Sequence, residues 1–157
     1  PGSVTPGLCF AGGFFFGSHQ NEYISENGSS WKQIYFTGDA STVRGFDVAY
    51  GNGVYVGKTY AGYIYTAKSI TAAASPTFEY KTKLENIAMA ARYPHMLFGG
   101  GQFVCVGNDL VYTSTDGAAW HRKDIPEFTG LEAYCAATNG KKVVIAGKSG
   151  MIGLLPL

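Results

Sequence analysis

The chain is short of charge, of cysteine and of long apolar runs. Asp, Glu, Lys and Arg make up 15% of its 157 residues, against roughly 25% in an average globular chain. Twelve basic and 11 acidic side chains leave a net charge of +1. Without a Lys/Arg cluster there is no field to gather a polyanion, so nucleic acid and anionic membrane are poor partners. The three cysteines, Cys9, Cys105 and Cys135, lie in strand-like apolar runs. An odd number cannot form a complete intramolecular disulfide set, and no Cys-x-x-Cys or Cys/His cluster suggests zinc or redox chemistry. They read as small buried hydrophobes in a chain that folds without disulfides, as a reducing cytosol allows. The longest apolar run, from Leu8 to Phe16, is interrupted by Gly12-Gly13 and lacks the basic flank of a signal peptide. It falls far short of the roughly 18 residues of a membrane span, so no membrane insertion is expected.

Abundant instead are 22 glycines, 11 tyrosines and 10 phenylalanines, the profile of a β-rich protein with many tight turns. At this length one domain can bury a core unaided. Pro1-Gly2-Ser3, with no Met, reads as an expression scar, so residues 1–6 are set apart as an N-terminal arm and 7–157 taken as a single domain.

Four glycine turns each precede an apolar burst: Gly12-Gly13 before FFFG, Asn52-Gly53 before VYVG, Gly100-Gly101 before QFVCVG and Asn139-Gly140 before KKVVIAG. The second glycines, at 13, 53, 101 and 140, are 40, 48 and 39 residues apart, the spacing of a four-stranded propeller blade with one insertion. Each turn joins two strands as a hairpin, because such dipeptides supply the positive φ a two-residue turn requires. A third strand begins near Tyr23, Tyr63, Val111 and Met151. In two repeats it runs into one motif, S-x-[DN]-G-x-x-W, at Ser25–Trp31 and Ser114–Trp120. There the Asn or Asp and Gly make the turn, Ser caps nearby amides and Trp packs back over it. In the second repeat Phe78 takes the tryptophan's place. With one acidic side chain per copy, the turn cannot fill a Ca²⁺ shell.

The expected fold is therefore all-β, a propeller of four blades of about 40 residues, at 7–37, 45–83, 96–126 and 132–157. The last blade is incomplete, and its apolar final strand leaves an open edge that invites pairing. Completion by a homo-oligomer, by parent-chain sequence or by the N-terminal residues are the options.

SENGSSW and STDGAAW, with YGNGVYVG and FGGGQFVCVG before the third strands, resemble the Asp-box (BNR) repeats of sialidase-type β-propellers. They are one residue shorter than S-x-D-x-G-x-T-W. They are closer still to repeats of photosystem II assembly-factor-like propellers and of phage tail or host-recognition proteins. The resemblance implies a blade architecture, with ligands on the face opposite the Asp-box turns. That face is made by the second-to-third-strand loops and the blade junctions. It also implies a virion-associated or cell-surface-facing setting and a glycan or host-surface protein as partner.

On that face, Arg44 and Arg92 both fall nine residues before a second turn glycine, where two guanidiniums could grip a carboxylate or phosphate. Pairing with Asp47 or Glu85, or plain solvation, is the alternative. His19, Asn21, Tyr60, Tyr63, Asn108, Asp109 and Lys148 lie in the remaining loops, mixing aromatic faces with amides and charges as sugar-binding sites do. His95 starts an inner strand, while His121 belongs on a solvent-facing outer one. Residues 84–95 carry apolar Leu84, Ile87 and Met89 among good helix formers, with Pro94 as a stop, which predicts one or two helical turns.

A sialidase would need three converging arginines, but Arg122 sits beside Trp120 on an outer strand. No facing carboxylate pair, Ser-His-Asp order, phosphate loop or HExxH appears. No catalytic residue, cofactor or metal site is expected. A binding module is favoured, with a structural assembly subunit using its C-terminal edge as the alternative.

Overall fold

The structure, a computed structural model, describes residues 7–18, 21–38, 45–71, 73–87, 96–107, 109–129 and 132–157. The first sheet is ordered β1 (Gly7–Ala11), β2 (Phe14–Ser18), β3 (Glu22–Ser25) and β4 (Lys32–Gln33). The second takes β5 (Tyr35–Thr37), β6 (Asp47–Gly51), β7 (Val54–Lys58), β8 (Tyr63–Ala67) and β9 (Thr77–Lys83), in the order β5-β9-β8-β7-β6. The third is ordered β10 (Met96–Gly99), β11 (Gln102–Val106), β12 (Leu110–Ser114) and β13 (His121–Asp124). The fourth has three strands, β14 (Ala133–Thr138), β15 (Lys142–Gly147) and β16 (Ile152–Pro156), with β16 at its edge. Inner strands pack in succession, β1 on β6, β6 on β10 and β10 on β14. Among the described residues this is a four-bladed β-propeller whose last blade is short of an outer strand.

Three of the four predicted hairpins form as two-residue turns. Ala11 pairs with Phe14, Gly51 with Val54 and Gly99 with Gln102. Both central residues of each turn have positive φ, as in Asn52 (49°) and Gly53 (75°). The fourth differs. Thr138 pairs with Val143, so the turn is longer, and the Asn139 side chain accepts the amides of Lys141 and Lys142, both at 3.0 Å. Blade 1 also ends earlier than residue 37. Tyr35–Thr37 leaves the first sheet and pairs in parallel with Thr77–Glu79 of blade 2, led by the Tyr35 amide donating to the Pro76 carbonyl at 2.9 Å.

Strand alternation gives each blade two apolar faces, so the core lies in three layers between consecutive blades. Phe16 and Ile24 meet Phe46, Tyr65 and Phe78. Val56 and Ile64 meet Phe103, Cys105 and Leu110. Val104 and Val111 meet Val143 and Ile145. Phe78, in the tryptophan's expected place, is fully buried with its ring 5.0 Å from that of Phe46.

One further expectation is corrected, and another falls mostly outside the described residues. Cys135 is exposed, because its strand turns it away from blade 3; Cys9 is half-buried and Cys105 fully buried, and all three are free. The helical turn expected over 84–95 is not seen in its described part. Leu84 and Ile87 instead pack into the second layer around a turn at Asn86, whose φ is 55°. Met89 and Pro94 lie outside the described residues.

Candidate functional site

Antiparallel pairing sends the strands to two opposite ends. The turn end gathers the first hairpins and the S-x-[DN]-G-x-x-W turns. The loop end gathers the second-to-third-strand loops and the starts of the inner strands.

At the turn end both motif copies have one geometry. The Ser25 hydroxyl accepts the Gly28 amide at 2.9 Å, and Ser114 accepts Gly117 at 2.8 Å. Asn27 Oδ1 accepts the amides of Ser29 and Ser30, both at 2.9 Å; Asp116 Oδ1 accepts those of Ala118 and Ala119 at 2.8 and 3.0 Å. Those amides hold the Asp116 carboxyl below its ordinary range. The signature Ser, Asn or Asp and Trp of each copy are thus bonded within their own turn, which gives them a structural role. Beside the first copy lies a cleft of ≈ 200 Å³ lined by Phe14, Ile24, Asn27, Ser30, Lys32 and Thr71. That is smaller than the roughly 300 Å³ at which small-molecule sites begin. Sequence reading missed it because Thr71 reaches it from the next blade.

The loop end carries the buried charge. Glu22 is buried, accepts the Ser18 hydroxyl at 3.0 Å and takes the backbone amides of Phe46 and Gly45 from the start of blade 2. Burial outweighs these donors and pushes its carboxyl up to about 7. One blade on, Asp47 Oδ2 accepts the Met96 amide at 2.9 Å. Each acid thus joins its blade to the first residues of the next inner strand. Asp47 pairs in register with the buried Lys58, and both act electrostatically on the Cys105 thiol. Burial pushes that thiol, and that of Cys9, up to about 12, which keeps both protonated and unreactive. Neither latch was visible in the sequence, where the acids and the amides they hold are more than 20 residues apart.

Of the predicted site residues, Arg44, Arg92, His95, His19 and Asn108 lie outside the described residues. Asn21 is exposed in the turn before β3. Tyr60 packs against Gly45, where a side chain would collide with its ring. Tyr63 lies beside Tyr80, with centroids 6.1 Å apart, and Lys83 Nζ sits 5.7 Å from its ring centre. Asp109 anchors blade 3 through its backbone, accepting the Ile125 amide at 2.7 Å. Lys148 is exposed, with its amide donating to Glu132 at 2.8 Å. Among the described residues, Tyr60 and Tyr63 share one loop, whereas Asn21, Asp109 and Lys148 belong to three other blades. As expected, Arg122 stays on its outer strand, paired with Asp124 at 2.7 Å, and His121 faces solvent beside it. Glu85 is paired with Lys83 at 3.4 Å. No group of three or more His, Cys, Asp or Glu that could hold a metal occurs among the described residues.

The fold and its two ends define a β-propeller. No protein-family model matches the chain, and neither does any curated protein. Solved structures do share its fold. A catalytically inactive virginiamycin B lyase from Staphylococcus aureus with quinupristin matches at TM-score 0.69 and 13% identity, over 100% of this chain and 53% of that one. YCF48 bound to D1 peptide matches at TM-score 0.56 and 18% identity, over 94% and 48%. Kluyveromyces lactis Hsv2 matches at TM-score 0.56 and 15% identity, over 99% and 49%. The chain spans about half the length of each. At these identities the likeness is one of fold.

Proposed function

We infer that the chain is a non-enzymatic binding module that engages a protein or glycan through its loop end. The observation that carries this reading is the use of the loop-end acids. Glu22 and Asp47 are committed to backbone amides of the following blade, so neither is placed to act as one of the two facing carboxylates of a glycosidase. What the loop end offers instead is aromatic surface with amides and charge, from Tyr60, Tyr63, Asn21, Asp109 and Lys148. Arg44 and Arg92 join them by sequence register. The peptide held by YCF48, a propeller of the same fold, favours a protein partner, and the S-x-[DN]-G-x-x-W repeats favour a setting in a phage tail or other multi-protein assembly.

The test is binding by Arg44→Ala, Arg92→Ala and the double variant to glycan arrays, peptide arrays and cell surfaces, with circular dichroism as the folding control. The double variant is expected to lose binding while remaining folded; full binding would remove the arginines from the site. Hydrolysis of an aryl sialoside by the wild-type chain would overturn the non-enzymatic reading.

A further inference from the structure

Among the described residues, blades 1 and 4 each leave one apolar sheet face uncovered. In blade 1, Cys9, Phe14, Phe16 and Ile24 turn toward blade 2. Alternation puts Leu8, Phe10, Phe15 and Tyr23 on the opposite face, where Leu8 is 68% and Phe10 62% exposed. In blade 4, Val143, Ile145 and Leu155 pack on blade 3. Val144, Ile152 and Leu154 point away, the last two 75% and 67% exposed.

The repeat shows what kind of surface each face is. Phe10 and Phe15 stand three residues before and two after a second turn glycine, as Phe98 and Phe103 do in blade 3. The two ring pairs coincide, with centroids 4.9 Å apart in both and planes at 59° and 60°. In blade 3 that pair is docked on the preceding blade. Phe98 lies on Gly51, where a side chain would collide with its ring, and Phe103 is fully buried. Blade 2 repeats the device with Tyr50 and Tyr55, and the Tyr55 hydroxyl donates to the Gly12 carbonyl of blade 1 at 2.8 Å. Among the described residues, blade 1 thus carries a docking pair with no preceding blade beneath it. Blade 4 carries the complement. Its paired Ala146 and Ile152 correspond to Val106 and Val111 of blade 3, which are completely buried beneath blade 4.

We propose that a second copy of this chain covers both faces. Blade 4 of each copy packs on blade 1 of the other, twice around a twofold axis, in an eight-bladed ring. Head-to-tail contacts of this kind close when the rotation per subunit divides the circle, and otherwise run on as filaments. The propellers that accommodate this chain do so over 53%, 48% and 49% of their length, so one copy sweeps about half a ring and two copies close it.

Light scattering at high micromolar concentration should give twice the 16.7 kDa chain mass. Phe10→Glu and Leu154→Lys change solvent-facing positions and leave each copy's own core intact. Each alone spoils both junctions and should give one chain mass with unchanged circular dichroism. Mixed in equal amounts, the two variants leave one junction native and set carboxylate against ammonium at the other, so the dimer should return. Cys135, on blade 4's open face, should label more slowly with a thiol reagent as concentration rises, a readout that needs no variant. A wild-type chain that stays at one chain mass, or a dimer that survives either single substitution, overturns the proposal. So does a natural full-length polypeptide that runs at one chain mass with β1 and β16 protected from hydrogen exchange, because further sequence would then cover the faces.

Discussion

The indole nitrogen of Trp120 donates to the carbonyl oxygen of Gly117 at 3.1 Å, closing the turn of blade 3 on itself. Trp31 and Gly28 repeat the contact in blade 1 at the same distance. Both glycines are left-handed, with φ of 77° and 74°, but their surroundings differ. A side chain at Gly117 would collide with Val56 of blade 2, whereas at Gly28 the nearest atom is a Phe15 ring carbon 4.0 Å away. Gly28→Ala should therefore cost only the backbone penalty of about 1–2 kcal/mol. Gly117→Ala should add about 1–3 kcal/mol of overpacking. Urea unfolding of the two variants checks this; equal losses would mean that Val56 yields without cost.

The same turns predict an unequal response at Asp116. Its carboxylate does the work that the Asn27 amide oxygen does in blade 1. Asp116→Asn should stay within about 0.5 kcal/mol of the wild type, as a surface change that keeps its acceptor. Asp116→Ala, which strands the amides of Ala118 and Ala119, should lose about 1 kcal/mol. Thermal unfolding at neutral pH separates the two.

The tryptophans themselves are not equivalent. Both motifs predict a buried ring, yet Trp31 is 39% exposed, while Trp120 is partly buried against the layer between blades 2 and 3. The reason is position: among the described residues, the face that carries Trp120 has a preceding blade and the face that carries Trp31 has none. Trp120, partly buried against that layer, should cost about 2–3 kcal/mol on replacement by Ala, at or below the low end of the range for a large core aromatic. In dilute solution Trp31→Ala should cost clearly less, because its ring mainly covers Gly17, where an added Cβ would lie 3.1 Å away. Chemical unfolding at low protein concentration makes the comparison, and equal costs would mean that Trp31 is already covered.

What was legible in the sequence was what is local. Asn52-Gly53 and Ser114–Trp120 specify their turns through neighbours within a few residues, so blade number and strand register could be read directly. Asn139-Gly140 misled because the Asn side chain caps two following amides, which lengthens the hairpin. Tyr35–Thr37 misled because its partner strand lies 42 residues further on. The loop end was legible only as a location. Its buried acid–amide latches join Glu22 to Gly45 and Phe46, and Asp47 to Met96, separations at which neither periodicity nor motif spacing carries a signal.

Glu22 gives the blade 1 latch a pH signature. Its carboxyl titrates near 7 in the folded chain and near 4.5 when unfolded, so the folded state holds the proton more tightly. The stability it contributes is fully present below about pH 4.5 and is lost as pH rises through 7, by about 3 kcal/mol in all at roughly 1.4 kcal/mol per pKa unit. Glu22→Gln keeps an acceptor for the Ser18 hydroxyl and the blade 2 amides but cannot ionise. Its Tm should exceed that of the wild type at pH 8 and converge with it toward pH 5. Ser18→Ala provides the opposite control: it removes a donor that favours the anion, raises the folded pKa and extends the loss of stability to higher pH. Parallel Tm profiles for wild type and Glu22→Gln across pH 5–8 would show that the carboxyl titrates as freely in the fold as in the unfolded chain.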